Sequence, residues 1–493
     1  MSDTAQPSAL DRFLRLFTDV RAGEGATALL LSGNIFVLLT CYSILKPVRE
    51  ALILGLASAE IKSYTAAAQV LILALVVPLY GRLADRVPRR RLINVVTTIF
   101  IACLLGFYGL AQVLTGYPAA LRVLGIVFFI WLGIFSAMLV AQAWSFANDI
   151  YTKKEGERLF PLVAFGASLG AVLGAGIASL LIVPFGVYQM MLVAAVLLVA
   201  QLQVTNYVDT RERRIREVDL PEEESSLKMT ATSSIQVDEI KKMLARYQNE
   251  PDPESSATAP ADEPEAAAEP PDTSGAFALV FKTRYLLAIA VMMMLLNLVN
   301  TTGEFILGSV VRASADAAVA AGTSGGLNVV DFTGAFFARF QLVVNIVGLL
   351  VQLFLVSRII KYFGVRVGVL ILPLISFGAY SLIAFYPVLT YIRWAKTAEN
   401  STDYSLNNTV KNMLFLPTTR EQKYKAKQAI DSFFVRLGDT LSAALVLVGT
   451  HLLFLSASGF ARFNLAFVLV WLILAFWIGK EYKRLVTTGE TPS

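Results

Sequence analysis

The chain has 493 residues, 56% of them apolar and only 16% charged, with a mean hydropathy of +0.62. Two soluble domains of that total length need charged surfaces to keep two cores in water, so this composition excludes a soluble protein and implies one that crosses a membrane many times. The formal net charge of +5 is carried in short basic clusters, and two cysteines and one histidine (Cys41, Cys103 and His451) without ligand spacing exclude a disulfide framework or a His/Cys metal site.

Residues 1–26 hold no apolar core followed by a small-residue cleavage site, so no cleaved signal peptide is expected. Leu10, Phe13, Leu14 and Phe17 share one helical face beside Arg12 and Arg15, which suits a short amphipathic helix on the membrane surface. Apolar windows then recur at 27–56, 64–84, 92–114, 121–149, 159–183 and 187–206, and again at 284–310, 332–359, 366–387, 389–415, 428–455 and 461–480. The reading is an all-α membrane protein of about twelve spans. It comprises a cytoplasmic segment 1–26, a six-helix bundle 27–206, a linker 207–280, a second six-helix bundle 281–481 and a tail 482–493. The linker runs from RERRIRE through VDEIKKMLARYQN into the Pro/Ala/Glu-rich NEPDPESSATAPADEPEAAAEPPDTSG, a composition too polar to bury a core, with one candidate amphipathic helix.

Basic residues crowd the loops GRLADRVPRRR (81–91), KKEGER (153–158), RIIKYFGVR (358–366), TREQKYKAK (419–427) and KEYKR (480–484) as well as the linker. The positive-inside rule puts all of these in the cytoplasm together with both termini, and the intervening loops, LTGYP and VPFG among them, are nearly uncharged. Weak echoes relate the halves. Glu50 with ALILG matches Glu304 with FILG, Ser145 and Asn148 match Ser405 and Asn408, and GASLG (166–170) matches GDTLS (438–442) in order along each half. Duplicated six-plus-six layouts are a transporter signature.

Charges inside spans mark candidate sites, because at bilayer depth a charge is costly unless it faces water or a partner. In YSILKPVRE, Tyr42, Lys46 and Arg49 share one face of the first span, with Glu50 at its edge. Pro47 loosens the helix beside Lys46, which lies deep for a snorkelling residue. Gln142, Ser145, Asn148 and Asp149 end span four, Asn297, Asn300, Thr301 and Glu304 mark span seven, and Lys396, Asn400, Asp403, Asn407 and Lys411 step along span ten. Arg49 and Glu50 have a second reading as a structural ion pair, and Asn148 with Asp149 as a solvent-exposed helix cap. Gly166, Gly170 and Gly174 read as a surface for close helix packing. With no G-x-x-x-x-G-K-[ST] string and no Ser/His/Asp set, no enzymatic site or cofactor is expected.

GRLADRVPRRR resembles the loop after span two in the major facilitator superfamily, G-x-L-x-D-R-x-G-R-R, through Gly81, Leu83, Asp85, Arg86, Arg89 and Arg90, with Pro88 in place of glycine. The resemblance implies a 6+6 pseudo-symmetric facilitator fold that works by alternating access, with spans one, four, seven and ten around a central cavity. It also implies a gating role for Gly81, Asp85, Arg86 and Arg89.

Longer strings, YSILKPVREAL, WSFANDIYTKKEGERLFPLVAFGASLG and LNNTVKNMLFLPTTREQKYKAKQAIDSF, resemble a bacterial branch of the plastid-type ATP/ADP translocase family. Lys46, Arg49 and Glu50 stand for its first-span cluster. Phe146, Ala147 and Asn148 with Arg158, Phe160, Pro161 and Leu162 stand for its fourth-span string, and Lys425, Lys427 and Asp431 for the motif before span eleven. Asp149, Leu159 and Ser168 depart from the pattern, WLGIFSAMLVAQ lacks the family's carboxylate, and Asp439 stands where members carry a lysine. The resemblance implies exchange of nucleotides or another phosphorylated anion across a bacterial inner membrane. Tyr42, Lys46, Arg49, Glu50, Asn148, Asn297, Asn300, Glu304, Asn407, Lys411 and Arg436 are the candidate binding residues. The partners expected are a small anion and the bilayer, with no nucleic-acid polymer. A facilitator for another organic anion or metabolite, with or without proton coupling, and a non-transporting sensor or scaffold stay open as alternatives.

Overall fold

The computed structural model describes residues 20–21, 24–84, 86–151, 153–218, 276–419 and 422–492. The amphipathic segment at the N-terminus, the helix suggested within VDEIKKMLARYQN and Asp85 lie outside them. Of the described residues, those up to 206 and from 276 onward belong to one compact unit, and 207–218, the end of one long helix, belong to a second.

Apolar runs form helices because a backbone in lipid must satisfy its own hydrogen bonds. The first half contributes α1 (Glu24–Leu56), α2 (Ala59–Ala84), α3 (Arg89–Val113), α4 (Pro118–Ile150), α5 (Lys153–Phe185) and α6 (Gln189–Val218). After a short helix, Ala276–Lys282, the second half contributes α7 (Arg284–Ala320), α8 (Val329–Leu350), α9 (Ser357–Phe385), α10 (Leu389–Thr402), α11 (Val435–His451) and α12 (Ala457–Thr488). Wide π-type turns at Val351–Val356, Asp403–Asn407, Gln422–Ala426 and Ile430–Phe434 interrupt the second half. The helical path through α8 and the start of α9 breaks at Gly364, whose φ of 73° suits a residue without Cβ. Pro118 opens α4, the Asn328 side chain caps α8 by accepting from the Asp331 N–H at 2.9 Å, and left-handed Gly489 closes α12. The described residues thus make twelve helical spans, each overlapping one of the twelve apolar windows, with α6 and α7 running ten or more residues past theirs and α10 ending well short of its window at a wide turn. Ten stretches are apolar and long enough to cross a membrane by composition; α8 and α9 run together as one of them, and α10 is missing because its apolar face is interrupted by charge.

The glycine series serves close packing. A Cβ on Gly166 would sit 2.7 Å from the carbonyl oxygen of Ser32, on Gly170 2.3 Å from that of Phe36, and on Gly174 2.2 Å from that of Thr40, so the i, i+4, i+8 glycines of α5 lie on the i, i+4, i+8 backbone of α1. In the second half Gly438 of α11 presses on α7 in the same way, 2.3 Å from the Met294 carbonyl. Gly170→Ala is therefore expected to cost about 1–3 kcal/mol by overpacking. Gly176→Ala, on the same helix with its nearest neighbour 3.8 Å away, should leave the melting temperature of the purified protein unchanged. Equal melting of the two variants would show that α1 and α5 do not meet at this distance.

The halves meet chiefly where α8 packs on α5 and α1, and hydrogen bonds join them at the end of the bundle where α1 gives way to α2. There Arg312 Nη1 donates to the carbonyls of Leu54 and, at 2.6 Å, Gly55, while its Nε pairs with Asp316 at 2.8 Å. The Val187 N–H donates to Asp331 at 2.8 Å, and a Cβ on Gly55 would meet Val330 at 2.9 Å. These bonds cap the C-terminal carbonyls of α1 with a side chain of the opposite half. They tie the two halves to each other at this end.

Candidate functional site

Two features emerge from the charges inside the spans: a balanced buried network and one cation outside it. Arg49 donates to Glu50 through Nη2 at 2.6 Å and Nε at 3.1 Å, and Lys62 of α2 reaches the other oxygen of Glu50 at 2.6 Å. Lys62 also lies 3.9 Å from Glu304 of α7, which lies 3.7 Å from Lys396 of α10. Lys396, fully buried, completes the chain with Glu399 at 2.6 Å and donates to Asn300 Oδ1 at 2.8 Å. Ser376 donates to Glu399 at 2.9 Å, the Tyr380 hydroxyl lies 3.2 Å from it, and Asn400 donates to Glu304 at 3.1 Å. Three cations alternate with three carboxylates across four helices of both halves, so the buried charge is balanced and its hydrogen-bonding capacity largely used.

Lys46 stands apart. Its ammonium lies 5.1 Å from the centroid of the Tyr42 ring and 5.6 Å from that of Tyr404. Among the described residues no carboxylate is within ion-pair distance of it. Pro47, the next residue, supplies no N–H and frees a carbonyl one turn back, and the wide turn at Asp403–Asn407 swings Tyr404 toward α1. Lys46 and Tyr404 line a cavity of about 600 Å³ together with Ser168 of α5, Asn345 and Gln352 from α8 and its continuation, and Asn408 and Thr409 just beyond α10. The lining takes α1 and the α10 segment, as the polar stripes suggest, and α5 and α8 in place of α4 and α7. An ammonium between two aromatic faces, at the wall of a cavity with amide and hydroxyl groups, can hold an anion carrying an aromatic ring.

The other expected residues divide between the network and local pairs. Asn300 and Glu304 join the buried network, while the Asn297 amide donates to the Met293 carbonyl of its own helix at 2.9 Å. Asn407 donates to Asp403 at 2.7 Å, and Lys411, half-buried, lies one turn further on. Arg436 is 3.3 Å from Asp439, which also accepts from Thr301 at 2.7 Å, so its charge is matched locally. Asn148 is exposed near the end of α4, whereas its echo Asn408 lines the cavity. Arg158 binds both oxygens of Glu24 at 3.1 and 2.9 Å and so ties the start of α5 to the start of α1. Of the loop after α2, Gly81 lies within the helix and Arg86 is exposed; the Arg89 side chain is outside the described part.

Lys62, Glu399, Tyr404 and Arg312 are the charged and aromatic groups central to these arrangements that the sequence reading does not single out, and Ser376, Tyr380, Asn345, Gln352 and Thr409 join them as polar partners. Glu399 was recoverable, since it lies one helical turn from Lys396 in an apolar span where an unpaired cation is costly. Lys62 reads as a loop residue only if α2 is taken to begin at 64 and not at Ala59.

The sequence profile of the Major Facilitator Superfamily matches residues 28–416, and that of the TLC ATP/ADP transporter family matches residues 395–483. The chain is 26% identical over 383 residues to ADP,ATP carrier protein 2 of Chlamydia trachomatis serovar D, covering 70% of this chain and 63% of that one. It is 25% identical over 231 residues to ADP,ATP carrier protein 2 of Chlamydia pneumoniae, covering 42% and 40%. It thus spans less than two thirds of the length of these curated relatives. Among solved structures it resembles the nucleoside transporter NupG with a TM-score of 0.55 at 13% identity, over 93% of this chain and 99% of that one. It also resembles a peptide transporter of the POT kind in complex with sulfate, with a TM-score of 0.57 at 11% identity over 97% and 99%. At these identities the structural likeness is one of fold.

Proposed function

The chain is a multi-pass membrane protein belonging to the Major Facilitator Superfamily, and we propose that it exchanges nucleotides of the ATP/ADP kind, or a related phosphorylated anion, by alternating access. The observation that carries this reading is Lys46. It is the cation of the first-span cluster left outside the balanced network, it faces a 600 Å³ cavity, and it lies between Tyr42 and Tyr404. A phosphate chain takes the ammonium as counter-charge, and an aromatic base takes a tyrosine face. The likeness to ADP,ATP carrier protein 2 of two Chlamydia species supports the same substrate class.

In this proposal the basic loops face the cytoplasm of a bacterium, and the end held closed by Arg312 faces outward. Lys62 and Lys396 hold Glu50 and Glu304 in this state. When the halves rock apart at that end, the contacts of Lys62 with Glu304 and of Arg312 with α1 are the ones that break, while Gly81, Asp85, Arg86 and Arg89 work at the other end. Asp439 favours a second reading, a smaller organic anion. It offsets Arg436 at 3.3 Å, where a lysine would instead add positive charge for a triphosphate.

The deciding experiment is melting of the purified protein with ATP, ADP or adenosine, and then counterflow in proteoliposomes. A ligand at about a hundred times its Kd stabilises by about 2.7 kcal/mol. ATP and ADP should raise the melting temperature, adenosine should do so far less, and ADP inside the vesicles should accelerate ATP entry. If nucleotides move neither quantity and another organic anion moves both, the cargo is that anion.

A further inference from the structure

A second cavity, of about 550 Å³, lies between α2 and α3 and shares no lining residue with the cavity at Lys46. The two helices are consecutive, yet they pack little against each other, and the gap has walls of Val76 and Leu79 from α2, Ile99 and Phe100 from α3, and Met138 from α4 at its floor. Leu79 and Ile99 are 62% and 54% exposed, so the crevice is open to the surroundings of the bundle and greasy along its length. Its phenol group, Tyr80, is already engaged, accepting from the Gln142 amide at 2.5 Å. Arg82 and Arg86 line the same crevice at the basic end of α2. Both are exposed, and neither has a carboxylate within ion-pair distance among the described residues.

Apolar walls below and two guanidinium groups at the rim, unmatched among the described residues, make one composite site. A water-soluble anion would use the rim and leave the walls wet, whereas a neutral lipid would use the walls and leave both guanidinium groups without an acceptor. A cavity of this size holds on the order of twenty water-sized groups, comparable with the methylenes of one long acyl chain. We propose that the α2–α3 crevice binds an anionic phospholipid of the bilayer, with one acyl chain between the helices and the headgroup phosphate on Arg82 and Arg86. Basic pockets between spans on the positively charged side of a membrane protein suit this headgroup chemistry, and the planar guanidinium suits phosphate. The lipid would wedge the segment joining α2 and α3, which gives the basic residues there a role separate from orienting the chain. The site does not depend on what the protein transports.

The test uses full-length protein, stripped of lipid in detergent, with dioleoyl-phosphatidylglycerol or dioleoyl-phosphatidylcholine added and retention read by native mass spectrometry. Phosphatidylglycerol should be retained about tenfold better, as expected for two basic groups at a headgroup, and should raise the melting temperature. Arg82→Gln with Arg86→Gln should abolish the preference, and the corresponding pair of lysine substitutions should keep most of it. Ile99→Trp, which fills the crevice and leaves both arginines, should weaken retention of the lipid. Each variant is first compared with the unaltered protein by melting without lipid, so that misfolding is not read as lost binding. Equal retention of the two lipids, an unchanged preference in the double glutamine variant or full retention in Ile99→Trp would each overturn the proposal. Displacement of the lipid by an equal concentration of soluble glycerophosphate would also overturn it, because the site would then be an anion site and not a lipid site.

Discussion

Lys46→Ala is expected to lower the proposed nucleotide exchange by about a hundredfold or more while leaving the melting temperature close to that of the unaltered protein. The asymmetry comes from its surroundings. Lys46 has two aromatic rings beside it and no carboxylate within ion-pair distance among the described residues, so its removal strands no buried charge. Losing an ammonium that, in the proposed function, meets a phosphate chain costs about 2–5 kcal/mol in a desolvated site, and about 2.7 kcal/mol corresponds to a hundredfold in rate. Lys46→Arg keeps the charge but changes its reach and shape, and should retain part of the exchange. Exchange rate per folded molecule in proteoliposomes and thermal melting in detergent decide the matter together. If Lys46→Ala lost the folded protein and kept its rate per folded molecule, the residue would be a packing element and the binding reading would fail.

Arg49→Ala should behave differently despite lying on the same helical face. It removes one of two cations from Glu50 and leaves Lys62 at 2.6 Å, so both stability and exchange should fall moderately. From the sequence the two cations look alike. What separates them is Glu50, whose carboxylate turns back onto the side chain of its immediate neighbour.

The twelve-span layout was legible because the bilayer imposes length and polarity on every span, and charge clusters mark the loops. Even α10, the least apolar, was legible, because Leu389–Thr402 comes after a break at 386–388 and carries polar residues at helical spacing. The glycine stripe was legible for a similar reason. Four-residue spacing puts Gly166, Gly170 and Gly174 on one face, and the structure supplies the partner backbone at Ser32, Phe36 and Thr40.

The site was legible only in part. A stripe on one helix shows which side chains share a face and says nothing about their partners on other helices. Lys396 and Glu304 were both singled out, but their connection through Asn300 and Asn400, and the link from Glu304 to Glu50 through Lys62, are tertiary facts. Tyr404 was hidden for another reason. The wide turn at Asp403–Asn407 shifts the helical phase by a residue, so a wheel drawn at 3.6 residues per turn misplaces the side chains from Tyr404 onward. Arg312 was hidden because α7 extends to Ala320, ten residues past the apolar window, and its outer turns carry the clasp on Leu54 and Gly55.

Lys396→Met should be the most destabilising single change in the second half. Lys396 is wholly buried, and its loss leaves Glu399, 4% exposed at the side chain, facing Ser376 and Tyr380 with no other cation in ion-pair contact among the described residues. Removing one partner of such a pair costs about 3–5 kcal/mol, whereas replacing both is often nearly neutral. Lys396→Met combined with Glu399→Gln should therefore recover most of the melting temperature, since the glutamine oxygen still accepts from Ser376 while the buried charge is gone. Recovery of stability need not bring recovery of transport, because Glu304 would still lack the Lys396 charge at 3.7 Å and would be held by Lys62 at 3.9 Å and Asn400 at 3.1 Å. A double variant that melts like the original protein yet exchanges slowly would assign the pair to the conformational cycle. If the double variant were no more stable than Lys396→Met alone, the loss would come from the packing of the lysine stem, and the carboxylate would not be the group left stranded.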